Sequence, residues 1–279
     1  MGIAIPSSFP PALSKGEIDA AYAAAQCVVE THRRISSWLR EGMTLARIDA
    51  EVARVLESMR CRSAFLHYRA GRTPPFPSHA CLSVNECVVH GTAAYLERPL
   101  VAGDLLKLDI GVTRQGWIGD AAWTYSFGEP SPEIRRLMEC GKESLRRGVR
   151  ALRPGNVLED WAHAVQNHVE SECGFHLVRG LGGHGYGRKL HTPPYVSNVR
   201  VSAPEVWHEA RWACKPGMML AVEPMIAIGT GEISQAKNTW PIFTADGSMS
   251  VHYEHDVLIT EDGPRVLTEG MDELPDVVG

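Results

Sequence analysis

The chain repeats itself once, and this repeat restricts the folds open to it more than any other feature. GMTLARIDAEVARVLES (42–58) aligns without gaps on GNVLEDWAHAVQNHVES (155–171). Gly42 meets Gly155, Leu45 meets Leu158, Val52 meets Val165, and Glu57-Ser58 meets Glu170-Ser171. Farther on, VAGDLLKLDIG (101–111) aligns within CKPGMMLAVEP (214–224), its Val101 falling on Lys215, at nearly the same offset. There Gly103 meets Gly217, Leu106 meets Leu220, Leu108 meets Val222 and Asp109 meets Glu223. The first pair reads as two helices with related apolar faces, and the second as a turn glycine followed by a strand with an acid at its far end. The expected architecture is α+β, with two αβ halves at about 14–128 and 132–265 related by a pseudo-twofold axis. Their carboxylates would meet near that axis.

Punctuation along the chain agrees with this division. Residues 1–13 are rich in Pro and Ser and read as an N-terminal extension, leaving 14–279 as one domain. Ser14-x-x-Glu17 is a capping-box pattern opening a helix to about Leu39. After Gly42-Met43-Thr44, the residues Leu45, Ile48, Val52, Val55, Leu56 and Met59 keep helical spacing.

Two more acids stand in apolar strand-like runs. Asp120 follows Asp109 across LDIGVTRQGWIGDAAW, with Gln115-Gly116 as the turn, so the two acids can sit on adjacent antiparallel strands. Their odd separation is compatible with a shared face if the loop or a bulge resets the alternation. Glu254 lies in SMSVHYEHDVLIT, the next strand-like run with an acid after Glu223. Burying an ionised carboxylate without a partner costs several kcal/mol, so four of them on apolar strands need partners. Each alone could be a surface acid on a half-exposed strand. Together, two of them in repeat-related positions, they indicate an oxygen-rich site for hard or borderline dications, large enough for a pair.

Histidines add to the pattern. GLGGHGYGRKLHTPP (180–194) carries His184 and His191 in a glycine-rich stretch, where the backbone can approach closely. His90 ends the apolar run CLSVNECVVHGT; a lone His there is more often structural or solvated. His163, His168, His176, His208, His252 and His255 carry no comparable signal. The residues by themselves support a metal-dependent hydrolase, dinuclear in metal.

Composition excludes several other classes. A net charge of −5 gives no basic field for nucleic acid. No apolar run approaches the roughly 18 residues of a membrane span. The opening stretch MGIAIPSSFPPALSKGE lacks the basic-then-apolar order of a signal peptide, and Pro6 stands where a myristoylation motif needs Ser or Thr. Seven scattered cysteines without C-x-x-C argue against a disulfide framework and a thiolate zinc knot, and for a cytoplasmic location.

The set CLSVNECVVHG, LLKLDIGV…GWIGD, GGHGYGRKLH, MMLAVEPMI and SVHYEH resembles the signature of the type I methionine aminopeptidases, over about 15–265. The resemblance implies the pita-bread fold, shared with aminopeptidase P and prolidase. It implies a substrate, the N-terminal methionine of peptides and nascent proteins, with a small second residue preferred. It implies two divalent ions per chain, with Co, Mn, Fe and Zn all compatible. Asp109 would hold one ion, Asp120 and Glu254 would bridge both, and His184 and Glu223 would complete the second. Glu223 would also act as general base. His90 and His191 would be catalytic groups outside the metal shell, near the scissile amide. Phe76, Cys81, Met225 and Trp240 fall where the family lines its methionine pocket, and aromatic and sulfur surfaces suit a thioether. The implied partners are peptide and nascent-chain N-termini, with ribosome association left open, for a protein that is monomeric in the family's compact members.

Departures from the family pattern bear on specificity. Ala121 stands where Thr is common, Thr192 where Glu is usual, and Leu190 replaces an aromatic neighbour of His191. The stretch 195–214 is longer than in compact members. Three other readings stay open: an X-Pro enzyme of the aminopeptidase P or prolidase kind, a relative trimming one particular peptide, and a non-catalytic binding module on the same fold. Loss of a ligand would mark the last, and all five are present.

Overall fold

The computed structural model describes residues 13–200 and 207–279. The expected extension, apart from Leu13, and residues 201–206 of the expected insertion lie outside the described residues. The first half runs α1 (Lys15–Trp38), α2 (Leu45–Ser58), β1 (Arg62–Ser63), β2 (Cys81–Val84), β3 (Cys87–Val89), β4 (Leu105–Arg114) and β5 (Trp117–Phe127). The second opens with α3 (Pro132–Ala151), α4 (Leu158–Gln166) and a π turn (Asn167–Glu172). It continues with β6 (His176–Leu177), β7 (Gly182–Gly185), β8 (Thr192–Ser197), β9 (Met219–Val222) and β10 (Met225–Ala227). Then come β11 (Ile233–Ser234), β12 (Ile242–Thr244), β13 (Ser250–His252), β14 (His255–Thr260), β15 (Gly263–Val266) and β16 (Val277–Val278).

The repeat is visible in this order: a helix pair, then strands, twice. Gly42 and Gly155 both take positive φ (83° and 95°) before the second helix of their pair, and Gly103 and Gly217 (91° and 92°) before β4 and β9. Only glycine adopts these values without strain, which is why the repeat kept it at all four places. Helix starts follow the sequence signals. Ser14 and Glu17 form the reciprocal capping box, and Thr44 and Ser131 cap α2 and α3.

Two five-stranded sheets carry the fold. One has the order β1-β4-β5-β16 with β2 also on β4, and the other β15-β14-β9-β7-β8. They meet where β5 crosses β14: Asp120 N–H donates to Asp256 Oδ2 at 2.8 Å, and Glu254 N–H to Ala122 O at 2.9 Å. α1 lies against the outer face of β5. A Cβ on Gly119 would come within 2.6 Å of Ala24 backbone, so glycine is what lets the helix approach. Asp120, the next residue, therefore faces the other way, into the space between the sheets. One apolar cluster runs from Ala21 on α1 to Val278 on β16 and joins both halves.

Glycine also sets the second sheet. A Cβ on Gly183 would sit 2.2 Å from Ala221 O, a backbone atom of β9 that cannot move alone. Gly183→Ala should therefore cost about 1–3 kcal/mol by overpacking. Gly187→Ala, whose Cβ would find only Trp117 at 3.8 Å, should stay within about 0.5 kcal/mol. Thermal unfolding of the two variants checks the contrast; equal losses would refute it.

Candidate metal centre

The Asp109–Asp120 pair shows how the first half builds its share of the site. Gln115 and Gly116 both have positive φ (51° and 78°), forming a two-residue hairpin turn. In such a hairpin, residues directly opposite one another differ by an odd number. Gly111 pairs with Asp120 and Asp109 with Ala122, so the acids are diagonal neighbours on one face. Their odd separation needed no bulge; the turn itself supplies the parity. Ala121 faces α1 instead, away from the acids.

The second half supplies three donors. Its strands break in step: β9 stops before Glu223-Pro224 and β13 before Tyr253-Glu254, while His255 pairs with Val222 and His252 with Met225. This shared interruption turns Glu223 and Glu254 off their ladders at one level. His184 on β7 pairs with Ala221. Its Nδ1 is 3.1 Å from Gly185 O, which fixes the tautomer with the proton on Nδ1 and leaves the Nε2 lone pair toward Glu223 Oε1 (3.8 Å) and Asp120 Oδ2 (4.0 Å).

The donors therefore converge. Donor atoms of Asp120, His184 and Glu254 lie within 4.8 Å of one another, as do those of Glu223, His252 and Glu254. Asp109 lines the same cavity as Asp120, His184, Glu223 and Glu254. The residues fit a cation by their unmet bonding. Asp109 Oδ1 and Asp120 Oδ1 are buried with no hydrogen-bond partner, and the His184 lone pair faces carboxylate oxygens. An oxygen-rich set with one imidazole suits borderline divalent ions.

Burial dominates the electrostatics. It raises the Asp109 carboxyl to about 7 and that of Glu223 to about 8, with neighbouring charge it pushes Asp120 and Glu254 well above the ordinary range, and by itself it does the same to Asp256 against two hydrogen bonds that lower it. The same burial lowers His184 to about 3 and His90 and His252 to about 4, keeping those imidazoles neutral. Without a cation these acids hold protons that the unfolded chain would release.

Around the donors stand the other expected residues. His90 follows β3 with φ 59°. His191 shares a 2.7 Å hydrogen bond with Tyr68 Oη, and its ring lies 4.2 Å from that of His184. Phe76, Cys81 and Trp240 line a cavity of about 260 Å³ directly over the acids, with Phe65, Tyr68 and Leu190 completing the wall. Phe76 and Trp240 pack edge to face at 5.1 Å. Met225 lines the adjoining cleft, with Thr192 and Tyr195, rather than this cavity. Sequence reasoning missed His252, whose Nε2 is 3.1 Å from Glu223 Oε2. It stands two positions before Glu254, and that period-two spacing was the available signal. It also missed Tyr68 and Phe65, which no spacing pattern ties to the site.

These shifts give a sign for pH dependence. Only above about 7.5, a unit past the ordinary imidazole value, are the histidines neutral in folded and unfolded chain alike, so that they add no slope; below it they raise stability with pH. The raised carboxyls bind protons only in the folded state, so stability of the metal-free protein falls as pH rises through about 7 and about 8. Its Tm should drop from pH 7.5 to 8.5, and divalent metal, releasing those protons, should remove most of the drop. A metal-free Tm that rises over this window would contradict the assignment. Asp109→Ala should bind divalent metal at least about tenfold more weakly by calorimetry.

Comparison with known proteins gives the family. The model of metallopeptidase family M24 matches residues 19–261. Methionine aminopeptidase 1 of Mycobacterium tuberculosis is 36% identical over 265 residues, covering 93% of this chain and 95% of its own. The crystal structure of a methionine aminopeptidase from Thermotoga maritima superposes with a TM-score of 0.83 at 32% identity, covering 92% of this chain and 98% of that one. A prolidase from Pyrococcus furiosus shares the fold at a TM-score of 0.70, but at 21% identity and over 65% of its length. With its matched family, its α+β pita-bread fold and its buried acids, the chain belongs to the M24 metallopeptidases, among the methionine aminopeptidases, and is a metal-dependent hydrolase.

Proposed function

We propose that this protein removes the N-terminal methionine from peptides and nascent proteins, preferring a small second residue. The observation that carries this reading is the placement of a small, half-open aromatic and sulfur-lined cavity over the acids, with His90 and His191 on its wall. An unbranched thioether fits such a lining. A volume of about 260 Å³ suits a single side chain, and a free amine would bind the cation held by the acids at its base, which favours an N-terminal residue over an internal stretch of chain. Asp109, Asp120, His184, Glu223 and Glu254 are the residues that would hold two divalent ions, which when bound supply the positive charge that makes water nucleophilic and polarises the scissile carbonyl.

The chain's own groups account for the rest. Glu223, with its carboxyl raised by burial, is suited to take the proton of the attacking water. His252 Nε2 at 3.1 Å orients that carboxylate. His90 is neutral at pH 7, so its N–H can hydrogen-bond the scissile nitrogen as that nitrogen becomes basic, while the proton the leaving amine needs is the one Glu223 took from the water. His191, braced by Tyr68, can donate to the developing oxyanion. Trp240 is held by its indole N–H to Pro74 O at 2.8 Å, which fixes it as part of the cavity wall. Leu190 and Thr192, two departures from the family pattern, are on the walls and bear on substrate range.

No helix among the described residues is long and apolar enough to cross a membrane, and all seven cysteines are free. Free thiols support a reducing cytoplasm, the compartment that would offer nascent chains at the ribosome as substrates. We take 14–279 as one catalytic domain acting as a monomer.

A panel of Met-X-Met and X-Gly-Met tripeptides with added divalent metal tests the reading. Met-Gly-Met should be cleaved and norleucine tolerated, because one methylene is worth only about 1–3 kcal/mol; Leu or Phe at the first position should be cut poorly, and acetylated peptides not at all, because the free amine must reach the metal. Cleavage of X-Pro peptides whatever the first residue would overturn it. His90→Ala should lower kcat by about 10²–10⁴ with bound metal unchanged. Loss of metal in that variant would make His90 a ligand and refute its role.

A further inference from the structure

A second group of donor atoms lies outside the acid centre. Cys140 on α3 and His168 and Cys173 at the π turn bring two thiols and an imidazole nitrogen within 4.8 Å of one another. None of the three lines the cavities around the acids. Sequence spacing hides them, because the turn geometry creates the pairing. In an α-helix, positions five apart point about 140° away from each other. Here Cys173 N–H donates to His168 O at 3.0 Å, a π-type bond that sets the two residues one turn apart on one side.

The histidine is already oriented for a ligand. His168 Nδ1 is 3.0 Å from Glu172 Oε2, and Glu172 is itself held by Arg147 Nη1 (2.7 Å) and Asn167 Nδ2 (2.9 Å). The carboxylate keeps the imidazole proton on Nδ1 and turns the Nε2 lone pair toward Cys173 Sγ at 3.5 Å. A carboxylate–imidazole brace of this kind is the usual support of a metal-binding histidine. Tetrahedral zinc, with bonds of about 2.3 Å to sulfur and about 2.0–2.1 Å to nitrogen, separates its S and N ligands by about 3.5 Å. The Cys173–His168 pair stands at that spacing, and Cys140 needs to close by about 1.3 Å at most.

We propose that Cys140, His168 and Cys173 form a thiophilic metal site, taking Zn²⁺ or a cation of similar softness with water as fourth ligand. Two thiolates balance the dication, and each thiol gives its proton to solvent on binding, with no change of oxidation state. The donor set separates this site from the acid centre: soft sulfur here, hard oxygen there. Burial and the neighbouring Cys173 hold the Cys140 thiol above its ordinary range, so it stays protonated until an ion arrives. A bound ion would clamp the π turn at the end of α4 onto α3.

The full chain, reduced and stripped of metal, is titrated with Cd²⁺, whose thiolate complexes absorb in the ultraviolet. We expect a charge-transfer band that saturates at one Cd²⁺ per chain, survives in Asp109→Ala and disappears in C140S/C173S. His168→Gln, which leaves both thiols, should weaken the binding at least about tenfold. Bound Zn²⁺ should also protect Cys140 and Cys173 of the unmutated protein from alkylation, read by peptide mass; this readout holds even if the double variant fails to fold. Absence of the band, its persistence in C140S/C173S, a Cys140–Cys173 disulfide in place of bound ion, or equal alkylation with and without Zn²⁺ would each overturn the proposal.

Discussion

Carboxylates buried where two sheets cross are the constraint on which the rest of this molecule depends. Asp109, Asp120, Glu223 and Glu254 face one space, and Asp256 ties its two sides by accepting the backbone N–H of Asp120. Acids held this close, away from water, must share protons or a cation, since neither bare charge nor repulsion is tolerable there. The helices outside, the glycines that let strands approach, and the hairpin turn all act to hold oxygen atoms in this arrangement. The family's hydrolytic chemistry follows from the same frustration: a site that is costly when empty binds divalent metal strongly.

Division of labour between the halves follows from the repeat. Each contributes one acid from an inner strand after a positive-φ glycine, Asp109 after Gly103 and Glu223 after Gly217. The partner strands then diverge. On β5 the second acid stays in the ladder, whereas Glu254 stands in a break between β13 and β14, matched by the break at Glu223-Pro224. That divergence turns a symmetric scaffold into a site with one imidazole face, at His184, and one all-oxygen face, at Asp109.

Much of this was legible in the sequence. Capping boxes, apolar periodicity and paired glycines marked the helices and the inner strands, because each depends on contacts between near neighbours in the chain. The acids were legible because four carboxylates in apolar strands have few physical explanations. The parity of Asp109 and Asp120 was harder to read: it depends on a two-residue turn, and the same sequence with a longer loop would have put them on opposite faces. His252 was missed because a single histidine in a strand is usually structural, and its pairing with Glu223 comes from the register of β10 on β13. Met225 was expected with Phe76, Cys81 and Trp240 but lies toward the adjoining cleft, a matter of side-chain direction after Pro224 that spacing does not encode. The Cys140–His168–Cys173 group depends on π winding, which has no counterpart in the residue pattern.

The central claim, that these acids exist to hold a pair of dications between the sheets, is tested most directly by anomalous diffraction from crystals grown with Mn²⁺. The account expects two peaks about 3.5–4 Å apart, in contact with Asp109, Asp120, His184, Glu223 and Glu254. Density absent from that space at saturating Mn²⁺, or peaks held by other residues while these five side chains remain bonded only to one another, would contradict it.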